Sequence, residues 1–262
     1  MKNIIVVGYP KSGSTWITRL TAELVGCPVK GFWNEPNHKE IAIEGLERSS
    51  NYRCFKAHQT FRDLEIDDQI INNQSFIIYV IRDPRDVAIS GANYFRFQNY
   101  ELSKKINFIN RLILKLPYGN TISERFIIEP FKIDCMINAI INGSSSVHPW
   151  CSVPWKEHYS SYLKQDCIFI RYEDMLMDPF NESKRILKYL DVIRNEQEID
   201  AAIQRQSFKN RKKEFKEKGD NYRAKFLRRG QPYQWKKKLN YKQKNIFRTS
   251  LYEELKMFKY LI

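Results

Sequence analysis

The stretch GYPKSGSTW, residues 8–16, follows the apolar run NIIVV and opens into ITRLTAELV, whose apolar positions recur at helical spacing. Gly8, four residues, Gly13 and then Ser14-Thr15 reproduce the frame of a phosphate-gripping loop, G-x-x-x-x-G-K-[ST], without its lysine. A lysine stands three residues earlier, at Lys11. Backbone N–H groups in such a turn, joined by the positive end of a helix starting near Ser14, form an anion cradle. A lysine beside the cradle reaches the bridging oxygen between a bound phosphate and a group being transferred, where negative charge grows as the bond breaks. A kinase would instead use the Thr15 hydroxyl on Mg²⁺ with a separate carboxylate, for which Asp83 after IIYVIR is the candidate. The plain alternative is a strand-to-helix connection with no ligand.

These residues need elements to hold them. The runs NIIVVGY, RCFKAH, SFIIYVIRD and DCIFIRYED read as strands, and STWITRLTAELV, PRDVAISGANYF and DPFNESKRILKYL as helices between them. Such alternation predicts an α/β fold, a single domain over residues 1–262 with a central parallel sheet flanked by helices. Ligands of these sheets bind beyond the carboxyl ends of the strands, where the unusual residues of this chain fall. Residues 97–150 interrupt the alternation with polar and aromatic segments such as INGSSSVHPW, and are expected to form an acceptor-side lobe or lid. No internal repeat or low-complexity linker divides the chain.

Forty-four basic residues against 30 acidic ones give a formal charge of +14, a field that favours anionic partners. Part of the excess lies in one tract, KNRKKEFKEK, which also suits a merely solvated helix. Five cysteines at 27, 54, 135, 151 and 167, with no C-x-x-C spacing, suggest neither a disulfide framework nor a zinc site and fit reduced thiols in a cytoplasmic protein. The first strand begins by residue 4, leaving no room for a signal peptide, and no apolar run approaches a membrane span. Neither a membrane nor a nucleic-acid partner is expected.

At the loop a family resemblance becomes specific. YPKSGSTW resembles the P-K-S-G-T-T-W loop of the sulfotransferases that use 3′-phosphoadenosine 5′-phosphosulfate (PAPS) and release 3′-phosphoadenosine 5′-phosphate (PAP). The resemblance implies that Lys11, Ser12, Gly13, Ser14, Thr15 and Trp16 grip the donor's phosphosulfate end, with no metal, because a sulfuryl group carries less charge than a phosphoryl group. FKAHQTF resembles the family's K-T-H segment, which makes His58 the general base and Lys56 a helper at the sulfuryl group; Ala57 replaces the threonine. Histidine suits that task because its unperturbed pKa lies near the working pH.

RDPRDVAIS, residues 82–90, is similar to the family's R-[ND]-P-[KR]-D-x-x-x-S, in which the arginine and serine, here Arg82 and Ser90, hold the 3′-phosphate. Arginine offers a planar fork matched to phosphate oxygens, and Pro84 suits a first helical turn. A surface pair between Arg82 and Asp86 is the plain alternative. IFIRYEDM resembles a strand end whose tyrosine, Tyr172, bonds the adenine, and QSF resembles T-S-F, which sets Phe208 against the purine opposite Trp16. FLRRGQPYQWKK is similar to R-K-G-x-x-G-D-W-K-N: Arg228, Arg229 and Gly230 match, as does Trp235, while Tyr233 and Gln234 replace the second glycine and the aspartate.

The matches run in family order from residue 4 to about 240. The dimer motif K-x-x-x-T-V-x-x-x-E is replaced by KKKLNYKQKN, so dimerisation there is not assumed. The resemblance implies sulfuryl transfer to a hydroxyl or amine of a small-molecule acceptor. GFWNEPNH at 31–38, with its aromatics and Glu35, suits an aromatic or cationic one. A Mg²⁺-dependent kinase and a basic nucleic-acid-binding module are the rival readings.

Overall fold

A computed structural model describes residues 1–35, 41, 43–64, 75–95, 97, 104–219 and 231–261. In chain order the elements begin β1 (Lys2–Val7), α1 (Ser14–Val25), β2 (Val29–Phe32), β3 (Tyr52–Ala57), β4 (Ser75–Ile81) and α2 (Pro84–Ala92). There follow α3 (Lys104–Ile113), α4 (Gly119–Ser123), α5 (Glu129–Asn142), α6 (Trp155–Ser160), β5 (Cys167–Arg171), α7 (Tyr172–Met177) and α8 (Pro179–Tyr189). The chain ends with α9 (Glu196–Arg205), α10 (Phe208–Glu217), α11 (Trp235–Lys238), α12 (Tyr241–Ser250) and α13 (Tyr252–Met257). By contact density it divides into two compact units, residues 1–82 with 159–232 and residues 83–158 with 233–262.

The first unit is built on a parallel five-stranded sheet of order β2-β3-β1-β4-β5. Ile4 to Val7 on β1 and Ile78 to Ile81 on β4 are wholly buried, as expected of central strands covered on both faces. α1 packs through Ile17, Leu20 and Leu24, an apolar stripe at helical spacing, and ends on Gly26, whose left-handed φ of 71° is a glycine C-cap. From β1 the chain passes toward the β2 edge, and from β4 toward β5. The carboxyl ends of β1 and β4 are therefore the topological switch point, the ligand-binding position of an open α/β sheet.

The second unit is helical. Asp83 caps α2 by accepting from the Arg85 N–H at 2.9 Å, and Pro84 occupies the first turn. Val87, Ala88 and Ile89 of α2, with Met136 and Ile140 of α5, are buried. Trp155, Phe247 and Tyr260 are the largest fully buried side chains of this unit.

The α/β class and its parallel sheet match the sequence expectation, with two differences. β2 was not anticipated: it is four residues long, contains Gly31 at φ 97° and exposes Lys30, so it carries no strand pattern. The strand expected through Asp174 stops at Arg171, and Tyr172 already opens α7. Much of 97–150 proves helical, in α3, α4 and α5.

Candidate active site

The loop from Gly8 to Gly13 joins β1 to α1 at the switch point. Two of its glycines are dictated by space. A Cβ on Gly8 would meet the Val80 carbonyl oxygen at 2.6 Å; one on Gly13, which sits at φ 95°, would meet the Tyr172 ring at 2.4 Å. Lys11 itself adopts φ 73°, a left-handed conformation unusual for a residue with a Cβ. Such strain concentrates where the backbone is shaped for a ligand. The N-terminus of α1 has no side-chain cap and no acidic residue in its first turn, so its N–H groups face no competing carboxylate there. The Ser12 hydroxyl is buried and has no hydrogen-bond partner among the described residues. An orphaned hydroxyl inside a turn of N–H donors suits the oxygens of a phosphate or sulfate ester.

Arg82, where β4 ends, reinforces this loop. Its guanidinium lies 4.4 Å from the centroid of the Tyr172 ring and donates one bond of 3.1 Å to the Lys11 carbonyl. Its Nε is buried and has no bond to any described residue. Asp86, the alternative partner for Arg82, instead accepts from the N–H groups of Tyr233 and Trp235 at 2.6 and 3.0 Å. Ser90 lies on α2, half-buried, in the other unit. Arg228, Arg229 and Gly230 lie outside the described residues.

His58, just beyond β3, is 3 % exposed. Its Nδ1 lies 2.6 Å from the carbonyl oxygen of Gly8. A carbonyl only accepts, so Nδ1 carries a proton, and whenever the ring is neutral its lone pair lies on Nε2. The phosphate-type loop thus fixes the tautomer of the histidine beside it. Lys56 is fully buried at the end of β3, with Nζ 5.5 Å from the centre of the Phe32 ring, and Phe32 also lies 5.6 Å from the imidazole. Gln59 accepts from the His58 N–H at 3.0 Å and donates to Trp33 O at 3.3 Å and to Glu35 Oε1 at 3.2 Å. One amide side chain therefore ties the histidine backbone to residues 33–35.

Trp16, Tyr172 and Phe208, far apart in sequence, come together. The indole lies 5.9 Å from the Tyr172 ring, edge-on, and 5.3 Å from Phe208. Its Nε1 donates to the Gln206 carbonyl at 3.0 Å, which fixes its orientation. Trp16 and Phe208 are half-buried, the condition of an aromatic platform with a face left to offer. Sequence reasoning missed the backbone acceptors, Gly8 O under His58 and Lys11 O under Arg82, since no residue type signals them. It also missed Gln59, which a polar residue directly after the histidine could have suggested.

Asp83, the metal carboxylate of the kinase reading, is committed elsewhere. It is wholly buried, and Arg85 grips its oxygens at 2.9 and 2.7 Å.

Fold and site define an α/β protein with a glycine-containing loop between β1 and α1 and a buried histidine at the strand ends. A family model, "Sulfotransferase domain", matches residues 1–259, and the chain belongs to that family and is a sulfotransferase. Among curated relatives, the amine sulfotransferase of rabbit (Oryctolagus cuniculus) is 26 % identical over 281 aligned positions, covering 98 % of this chain and 81 % of the relative. Human sulfotransferase 2A1 is 22 % identical, covering 90 % and 78 %. Among solved structures, mouse sulfotransferase SULT7A1 complexed with PAP has a TM-score of 0.64 at 20 % identity, covering 97 % of this chain and 85 % of the other. Retinol dehydratase in a complex with retinol and PAP gives 0.59 at 17 %, covering 98 % and 82 %.

Proposed function

We propose that this enzyme moves the sulfuryl group of PAPS to a hydroxyl or amine of a small-molecule acceptor, with His58 as general base. The observation that carries the reading is the Nδ1 to Gly8 carbonyl bond of 2.6 Å, which couples a base of defined tautomer to the donor loop. PAP-bound structural neighbours and the orphaned hydroxyl of Ser12 support the choice of donor. The donor supplies an activated sulfuryl group on a phosphate that leaves as PAP. Loop residues Lys11 to Thr15 hold its phosphosulfate end, Trp16 and Phe208 flank the purine, and Tyr172 floors the loop below Gly13. Arg82 reaches toward a phosphate with its unpaired Nε, and the sequence resemblance adds Ser90, Arg228, Arg229 and Gly230 to the 3′-phosphate.

His58 Nε2 takes the acceptor's proton as the acceptor oxygen or nitrogen forms its bond to sulfur and the bond from sulfur to the bridging oxygen breaks. Lys11 faces the charge that collects on the leaving phosphate, and Lys56 assists at the sulfuryl oxygens. No metal is assigned a step, since these cations suffice for the charge that develops. Acceptor selection is assigned to Phe32, Trp33 and Glu35, which adjoin the histidine through ring contact and Gln59.

The test follows labelled sulfuryl transfer from PAPS into a metabolite extract, with the product identified by mass. His58→Ala and Lys11→Ala are expected to lower turnover by about a hundredfold or more. His58→Ala should leave PAP affinity within about threefold, because a base acts on the acceptor and not on the donor. Full turnover in either variant removes the role given to that residue. Dependence on added Mg²⁺ would favour the kinase reading.

A further inference from the structure

The second unit carries an exposed apolar surface on α3 and the turn that follows it. On α3, Phe108 and Leu112 stand one turn apart and are 64 % and 49 % exposed, with Ile109 exposed beside them. Leu114, Leu116 and Tyr118 extend this exposure through the following turn. Buried apolar stripes are the rule for a helix packed on a globule, so a stripe facing water needs an occupant. The charge around it limits the choice. Residues 102–123 contain Lys104, Lys105, Arg111 and Lys115 and no aspartate or glutamate. Arg111 and Lys115 are exposed, and Arg111 lies one turn from the flank of Phe108.

We propose that α3 and its following turn dock onto an anionic lipid surface, with Phe108, Ile109, Leu112 and Leu116 in the acyl boundary and Arg111 and Lys115 at the headgroups. An exposed apolar face bordered by lysine and arginine is the pattern of a helix lying in the membrane interface. A second copy of this chain is the weaker occupant, since a symmetric contact through this helix would set Arg111 and Lys115 against their own copies. An oligonucleotide would satisfy the cations but leave the leucines in water. The chain's +14 charge adds long-range attraction to a negative leaflet. This surface peripheral binding differs from spanning: among the described residues no helix is long and apolar enough to cross a membrane.

The experiment uses the full chain and sedimentation with vesicles of phosphatidylcholine alone or with added phosphatidylserine. Binding to the anionic vesicles is expected to exceed binding to the neutral ones by about tenfold, and to weaken in high salt. Both Phe108→Ser/Leu112→Ser and Arg111→Glu/Lys115→Glu should lose it while keeping the parent melting temperature. Should either double variant misfold, Phe108→Trp provides the readout, with a blue-shifted emission on anionic vesicles only. Equal binding to neutral vesicles, no binding to anionic ones, or full binding by folded double variants overturns the proposal. So does a dimer in sedimentation velocity, or retention by an oligonucleotide, that Phe108→Ser/Leu112→Ser abolishes.

Discussion

Ser12 and Gly13 are adjacent and answer opposite questions. Gly13 is fixed by the folded chain itself: φ 95° and a Cβ position 2.4 Å from the Tyr172 ring forbid any other residue without movement. Gly13→Ala is expected to lower unfolding free energy by about 2 kcal/mol, the sum of left-handed strain and displacement of a buried ring, read as a shift of the denaturant midpoint. Measured in a Tyr172→Ala background, Gly13→Ala should cost only the left-handed strain. Ser12, by contrast, contributes no hydrogen bond to the described residues although its hydroxyl is buried. A buried hydroxyl without a partner costs stability, so Ser12→Ala should melt at the parent temperature or slightly above. If the hydroxyl serves the donor, the same variant weakens PAP binding by about tenfold in calorimetry. A lower melting temperature with unchanged PAP affinity would make Ser12 structural and remove it from the donor cradle.

One helical turn organises much of the second unit. At the start of α2, Asp83 caps the helix and clamps Arg85, whose guanidinium stacks 3.6 Å from the centre of the Trp235 ring. Asp86, in the same turn and 1 % exposed, accepts from the N–H groups of Tyr233 and Trp235. The segment replacing the family's glycine-aspartate pair is thus held by side chains from α2. Tyr233 adopts φ 61°, the left-handed conformation that a glycine takes freely and a residue with a Cβ takes at a cost in strain. Tyr233→Gly should therefore raise unfolding free energy by about 0.5 kcal/mol, the strain relieved less the added freedom of the unfolded chain. Asp86→Ala, which strands two N–H groups, should lower it by about 3 kcal/mol. A Tyr233→Gly chain less stable than its parent would show that the tyrosine side chain, 5.2 Å from Lys236 Nζ, outweighs its backbone strain.

Across the whole molecule, what was legible in sequence is what a residue pattern can carry. β1, its loop and α1 could be read because a buried strand is a continuous apolar run and the loop needs glycine at two defined places. The meeting of Trp16, Tyr172 and Phe208 could be expected from family order. β2 could not, since four residues with an exposed lysine and a left-handed glycine alternate in no recognisable way. Nor could the carbonyls that orient His58 and Arg82, because every residue has one. The cysteines show the same division: number and spacing excluded a disulfide framework, but only packing sets their chemistry. All five are free thiols, four of them buried. Burial pushes Cys27 and Cys167 up to about 12 and Cys135 to about 11, from an ordinary 9.0, and raises Cys54 well above it. Between pH 9 and those values the unfolded chain loses thiol protons that the folded chain keeps. Folding is then disfavoured as pH rises, while below pH 9 these groups leave stability independent of pH. A melting profile should accordingly fall from about pH 9 upward, and Cys27→Ala/Cys167→Ala should flatten that fall. In the native protein at pH 8 a thiol reagent should label fewer than five cysteines at first, and all five on unfolding. Immediate labelling of every thiol in the folded chain would show that both units, which hold Cys27, Cys54 and Cys167 and Cys135 and Cys151 respectively, open far more readily than their packing implies.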